Sequence, residues 1–337
     1  MKKILIIRFS SIGDIVLSSP VIRCVKNQYP AVEIHYLTKK AFAPVLSANS
    51  YIHKIHCLQN DLPALINDLK RESFDLIVDL HRNIRSSIVK KALRIPSAAF
   101  PKLNRSKWLL VNFRINILPE VHIVDRYFRA VSKWGVKYDG KGLDYFIPEQ
   151  DCIDIQEELP EAFHKGYMLV VVGAKHKTKQ LPVEKLTEIC NTSGFPVVLT
   201  GGPEDHEQAV QLADQLKVPV VNMCGRFNVN GSADLVRNAV VVLSPDTGLM
   251  HIAAAFRKPL VSVWGNTIPG FGMYPFYPEG QQSSYHIHEV KALSCRPCSK
   301  IGFERCPKGH FRCMFDIQSK AVVDSVKTLA GQSEASL

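Results

Sequence analysis

The chain has 337 residues, 46% of them hydrophobic and 22% charged, the balance of a soluble globular protein with room for two cores. No apolar run approaches the ~20 residues of a transmembrane helix, and Ile4-Leu5-Ile6-Ile7 is too short for a signal-peptide core, so a cytosolic protein is expected. Forty-two Lys and Arg against 31 Asp and Glu give +11; without a recognition-helix, zinc-finger or RNA-recognition signature, that charge points to an anionic substrate or membrane surface and away from nucleic acid.

Residues 2–9 read as a buried parallel strand, Ile4, Leu5, Ile6 and Ile7 forming its continuous apolar run, followed by the turn Ser10-Ser11-Ile12-Gly13-Asp14. Pro20 sits where a helix can begin. Strands are then predicted over 32–37, 54–58 and 74–80, with a helix over 62–70. The third of these strands ends in Asp79-Leu80-His81-Arg82-Asn83. Residues 84–134 are rich in basic and aromatic side chains, and from 139 to 165 the periodicity weakens and acidic residues gather, which marks a linker. A second series of strands falls at 167–172, 196–199, 218–222, 240–245 and 260–264, with helices at 182–190, 204–216 and 232–238. Strands alternating with helices predict an α/β protein with parallel sheets. We divide it into two Rossmann-like domains, residues 1–160 and 161–337, facing a central cleft; the last helical pattern, 317–329, is a candidate to return to the first domain.

Neither a Gly-x-Gly-x-x-Gly dinucleotide fingerprint nor a phosphate-binding P-loop is present. The chemistry gathers instead at polar turns after the strands, where open α/β sheets bind ligands. The most informative is Ser244-Pro245-Asp246-Thr247-Gly248-Leu249-Met250-His251, an apolar strand opening into an Ala-rich helix whose first N–H groups can face a diphosphate. A single Asp-Thr-Gly does not support an aspartic protease, which needs two aspartates sharing a proton.

Two of these turns carry a family resemblance. Arg8-x-Ser10-Ser11-Ile12-Gly13-Asp14, together with Ser244-x-Asp246-Thr247-Gly248-Leu249-x-His251-Ile252-x-Ala254-Ala255, resembles the ADP-heptose:lipopolysaccharide heptosyltransferases, glycosyltransferase family 9. Pro259-x-x-x-x-Trp264-Gly265-x-Thr267-x-Pro269, Lys179-x-x-Pro182, Thr200-Gly201-Gly202 and Asp79-Leu80-His81-Arg82-Asn83-x-Arg85-Ser86 are similar to further family segments. The resemblance implies a GT-B fold, with an acceptor-binding first domain and a nucleotide-sugar-binding second domain. It also implies an inverting transfer of heptose from ADP-heptose to a lipid-linked, anionic inner-core acceptor at the inner face of the inner membrane, without a catalytic metal. Asp14 matches the general base and Lys179 the lysine that meets the diphosphate. Gly173, Thr200, Gly201, Gly202, Asp246, Thr247, Gly248 and His251 become candidates for the donor site; Ser10, Ser11, Gly13, His81, Arg82 and Arg85 for the acceptor site. Taken alone, Asp14 also fits a helix cap, Lys179 a surface lysine and His251 a packed helix histidine. A different nucleotide-sugar enzyme of the same fold, such as an epimerase, and a non-catalytic binding module are the rival readings.

Four of the nine cysteines cluster as Cys295-x2-Cys298-x7-Cys306-x6-Cys313, with His310 in the last gap. In a reducing compartment this suggests a structural zinc or plain thiols, not disulfides; only the first gap has ideal zinc-ligand spacing. The resemblance does not require the cluster.

Overall fold

The structure is a computed structural model and describes residues 2–334. Its first half is a five-stranded, wholly parallel sheet of β1 (Lys3–Ile7), β2 (Glu33–Lys39), β3 (Lys54–Leu58), β4 (Leu76–Asp79) and β5 (Ser97–Ala99), in the order β3-β2-β1-β4-β5. After β1 come α1 (Ile12–Val16) and α2 (Ser19–Gln28), then α3 (Leu62–Arg71), α4 (Ile84–Leu93), α5 (Asn104–Phe113) and α6 (Ile123–Phe128). Asp61 caps α3 through the Ala64 N–H at 2.8 Å, and Asn83 caps α4 through the Ser86 N–H at 2.9 Å, each satisfying a donor that the helix leaves free.

The short α7 (Ile155–Glu158) precedes the second sheet: β6 (Met168–Val171), β7 (Val197–Thr200), β8 (Val220–Asn222), β9 (Val241–Pro245), β10 (Leu260–Trp264) and β11 (Tyr285–Glu289), also parallel, ordered β11-β10-β9-β6-β7-β8. Its helices are α8 (Val183–Ser193), α9 (His206–Ala213), α10 (Val229–Asn238), α11 (Gly248–Ala255), α12 (Arg312–Phe315) and α13 (Ser319–Glu334). The central strands β1, β6, β9 and β10 are buried almost throughout, as continuous apolar runs covered on both faces should be.

Two expectations change. The last helix does not return to the first half: Val322, Val323, Val326 and Leu329 of α13 are buried with Leu186 and Ile189 of α8 and Val261 and Val263 of β10. Its apolar stripe closes the outer face of the second sheet. The segment read as a linker is also tied down at both ends. Arg23, 3% exposed, is held by Asp139, Asp144 and the Gly142 carbonyl, while Asp151 accepts from Asn230 at 2.7 Å and the Ile153 N–H donates to Asp234 at 2.6 Å. One buried apolar cluster runs through both halves, from Ile15, Val16 and Ile22 to Val242, Met250, Ile252 and Trp264.

Strand order places the site. In the first sheet the chain builds outward from β1 to β2 and β3, then reverses to β4 and β5; in the second it builds from β6 to β7 and β8, then reverses to β9. The crevices at such reversals, beyond the carboxyl ends of the strands, are where open α/β sheets take ligands. Here they lie between β1 and β4 and between β6 and β9.

Candidate active site

At the first crevice Asp14 is the third residue of α1, not its cap. Its carboxylate accepts from the Ser11 N–H at 3.1 Å and the Ser11 hydroxyl at 2.9 Å, and pairs with Arg8 at 2.6 Å. Arg8 is itself 8% exposed and fixed by the carbonyls of Ser10 (2.7 Å) and Leu80 (2.5 Å). Burial alone would raise the Asp14 pKa; the Arg8 charge and the two Ser11 hydrogen bonds outweigh it, so the carboxyl titrates below its ordinary range and is ionised at neutral pH.

The β4 turn is organised by Asp79, fully buried, which accepts from the His81 and Arg82 N–H groups at 3.0 and 2.7 Å, from Ser86 Oγ at 2.9 Å and from Lys90 at 2.8 Å. His81 packs edge-on against Phe9, and burial pushes its pKa down to about 4. Arg82 turns to the Phe100 carbonyl (3.2 Å), and Arg85 is exposed on α4.

At the second crevice Lys179 Nζ meets Asp246 Oδ2 at 2.6 Å, and the same oxygen accepts from Thr267 at 2.9 Å. Thr247 caps α11, its hydroxyl accepting from the Met250 N–H at 3.4 Å; the first N–H groups of that helix have no intrahelical acceptor. Gly173, Gly201 and Gly202 converge on Asp205. A Cβ on Gly173 would stand 1.7 Å from its carboxylate and one on Gly201 2.8 Å, while the Gly202 N–H donates to it at 2.9 Å. Thr200 is turned inward: its side chain is 0% exposed and its hydroxyl has no protein partner.

The two crevices meet. A Cβ on Gly13 would lie 2.6 Å from the His251 ring and one on Gly248 2.7 Å from Ile12, so α1 and α11 touch through glycines that leave room for close approach. His251, 2% exposed, packs in that contact; burial pushes its pKa down to about 4, and it senses Asp246, Asp14 and Lys179.

A family model described as glycosyltransferase family 9 (heptosyltransferase) matches residues 63–301, well over half of the chain. This chain belongs to glycosyltransferase family 9. Among similar proteins, the lipooligosaccharide heptosyltransferase 2 of Haemophilus ducreyi is 28% identical over 295 residues, 80% of this chain and 85% of that one. A solved family 9 glycosyl transferase of Veillonella parvula has a TM-score of 0.77 at 20% identity, covering 98% of each chain. The ADP-heptose lps heptosyltransferase II of Escherichia coli has 0.73 at 20% identity, covering 99% of this chain and 100% of that one. The two-sheet architecture is the GT-B fold, and the protein is a glycosyltransferase.

Several residues of this family 9 enzyme that the sequence reading passed over stand at the junction. Lys107 of α5 is pushed down to about 8 by burial and by Arg126, and pulled up by both Asp14 and Asp246; its ammonium stands 4.9 Å from the Phe271 ring centre. Arg126 is 2% exposed with its Nε unpartnered, and both polar atoms of the Asn266 side chain are buried and unpartnered beside Thr267. Lys102 is depressed by burial and by the neighbouring Arg8 charge. Nothing in their spacing separates Lys102, Lys107 and Arg126 from the other basic side chains of 84–134; tertiary packing selects them. A separate cleft of about 420 Å³, lined by Asp151, Cys152, Glu157, Arg226 and Asn228 among others, contains none of the predicted site residues.

Among the cysteines, Cys295 Sγ lies 3.7 Å from His310 Nε2. Among the described residues, no three ligand atoms of this stretch come within 4.8 Å of one another, so as placed they do not form a closed tetrahedral set.

Proposed function

We propose that this enzyme transfers heptose from ADP-heptose to a lipopolysaccharide inner-core acceptor with inversion at the anomeric carbon. The observation that carries the reading is the meeting of the two crevices: the Asp14 carboxylate on one side, the Lys179–Asp246 pair on the other, and Lys107 within the electrostatic reach of both. Support for the donor comes from the family and from the Escherichia coli structure, whose name carries ADP-heptose.

In this mechanism the acceptor hydroxyl oxygen attacks the anomeric carbon as its proton passes to Asp14. The bond from that carbon to the β-phosphate oxygen breaks, and ADP leaves with the electron pair. A single in-line displacement inverts the centre. The Arg8 pair holds Asp14 ionised and oriented, which a general base requires, while making it a modest base. Lys179, released from Asp246, and the N-terminus of α11 meet the charge that develops on the diphosphate, so the protein's own groups serve the leaving group without a catalytic metal. Asp246, Thr267 and the backbone at Thr247 and Gly248 hold the donor; Gly173, Gly201 and Gly202 let it approach the main chain. His251 acts through packing.

Arg8, Lys102, Lys107 and Arg126 surround the acceptor side with positive charge, which suits an acceptor bearing carboxylates or phosphates. Ile84, Ile88, Trp108, Phe113, Ile115 and Ile117 are exposed on or beside α4 and α5, interspersed with Arg85, Arg105 and Arg114. We read that surface as a peripheral contact with an anionic membrane; no helix among the described residues is long and apolar enough to cross one. A structural zinc at Cys295, Cys298, Cys306 and Cys313 is proposed on donor chemistry and on the approach of Cys295 to His310, the side chains closing around the ion as it binds; the zinc content of Cys295→Ser tests it.

The deciding assay is ADP release from ADP-heptose and other nucleotide sugars, with and without a delipidated core acceptor, for the wild type and Asp14→Asn. Acceptor-dependent release that collapses in Asp14→Asn while donor binding persists supports the reading. Donor binding without turnover on any acceptor would favour a binding module, and conversion of the nucleotide sugar to a stereoisomer with no net ADP release an epimerase.

A further inference from the structure

At the opposite, amino edge of the first sheet lies a second cluster of chemistry that the transfer reaction does not use. Glu33 and His35 alternate on β2 and so share one face; His53 immediately precedes β3, and His56 lies on it. The five-residue β1 separates this edge from Asp14 by about 16 Å at 3.3 Å per residue. His35 is 1% exposed, and its two nitrogens have different surroundings. Nδ1 is 2.9 Å from His56 Nε2. Nε2 is buried without a hydrogen-bond partner, 3.7 Å from a Glu33 oxygen. Ligand atoms of Glu33, His35 and His53 all fall within 4.8 Å of one another.

A buried ring nitrogen with no partner is costly whichever tautomer it holds. With Nδ1 donating to His56, Nε2 presents its lone pair toward a carboxylate, an arrangement that a cation between the two satisfies. We propose that Glu33, His35 Nε2 and His53 bind a divalent transition-metal ion with zinc-like preferences, water completing a four-coordinate site.

Two imidazoles and one carboxylate suit zinc, cobalt or nickel better than magnesium or calcium. His56 then has the part that outer partners of metal-bound histidines take, accepting the other ring N–H and fixing the ring. His53 is exposed and gives the ion an entry path. The charges facing the site are Lys3, Lys54 and Glu72. Lys3 pairs with both Glu33 (3.3 Å) and Glu72 (3.1 Å), and Lys54 with Glu72 (2.5 Å). A metal that takes Glu33 therefore leaves both lysines a partner, and the exposed Lys3–Glu33 contact given up is worth little. The ion would tie β2 to the start of the edge strand β3 and close the intervening loop, a structural role separate from catalysis.

The test uses the full chain in a Cys295→Ser/Cys298→Ser background, so that thiols do not compete, stripped with a chelator and titrated calorimetrically with Zn²⁺ and Co²⁺. We expect one equivalent bound, with no thiolate-to-cobalt charge-transfer absorption, and a rise in Tm on binding. His53→Ala, at an exposed position, and Glu33→Gln should each weaken affinity by about tenfold or more, the scale on which even outer-partner changes act, with transferase kcat/KM unchanged. No binding in that background, or binding that both substitutions leave intact, would overturn the site and identify the cluster as an ion-pair network only.

Discussion

Replacing Gly13 by alanine adds one methyl at the point where the two halves touch. Built on the existing backbone, that carbon stands 2.6 Å from His251 Cδ2, 3.3 Å from Nε2 and 3.5 Å from the Gly248 Cα. The ring cannot swing away, being 2% exposed. Alanine gains up to about 1 kcal/mol of helix propensity over glycine, but overpacking of a filled site costs about 1–3 kcal/mol. The expected net effect is a loss of about 1–2 kcal/mol, with kcat/KM reduced because the same methyl pushes α1 from α11. Urea unfolding of Gly13→Ala, His251→Ala and the double variant measures it. With the ring removed, the added methyl meets open space, so Gly13→Ala should become neutral or stabilising in that background, a coupling of about 2 kcal/mol. Equal effects of Gly13→Ala in both backgrounds would refute the contact as the cause.

Burial holds His56, His81 and His251 at about 4 and His122 at about 3. The unfolded chain takes up protons near pH 6.5 that the folded one refuses, so this stability is complete above 6.5 and is lost as pH falls toward 4, by up to about 1.4 kcal/mol per pH unit for each histidine; denaturant midpoints that stay flat from pH 7 to 5 would contradict it. Arg8→Met removes the charge that depresses Asp14 and leaves burial to act, so the acidic limb of the kcat/KM profile should move to higher pH while activity at pH 7 falls. Lys107→Met keeps the stem against Phe271 and deletes the charge between Asp14 and Asp246; steady-state kinetics should show kcat/KM down about tenfold, a loss of about 1.4 kcal/mol in transition-state stabilisation.

What could be read from the chain was what local pattern determines. The strands around Ile4–Ile7 and Val241–Leu243 are apolar runs that only a doubly covered sheet accommodates, and Asp246 stands out because a polar turn follows such a run; Asp14 and Lys179 are singled out by the family resemblance, local pattern alone allowing a helix cap and a surface lysine. By contrast, β5 has the sequence Ser97-Ala98-Ala99 and β11 Tyr285-His286-Ile287-His288-Glu289, neither apolar enough to register; they are strands because a neighbouring strand offers its edge. Asp14 resembled a cap until α1 was seen to begin two residues before it. Lys107 and Arg126 are two basic residues among many, and only the docking of α5 and α6 turns them inward. The destination of α13 depended on which sheet offered an uncovered face, a fact no local pattern carries.

The buried cluster shared by both halves has a consequence for recombination. Because Ile15 and Val16 share an interior with Met250 and Ile252, neither half carries a finished surface of its own, and melting should be a single cooperative event without a separately stable half-molecule. A chimera that joins the front of one family member to the back of another therefore inherits a mismatched seam unless α1 and α11 come from the same parent. Exchanging donor or acceptor preferences by swapping halves means transplanting that helix pair as one unit.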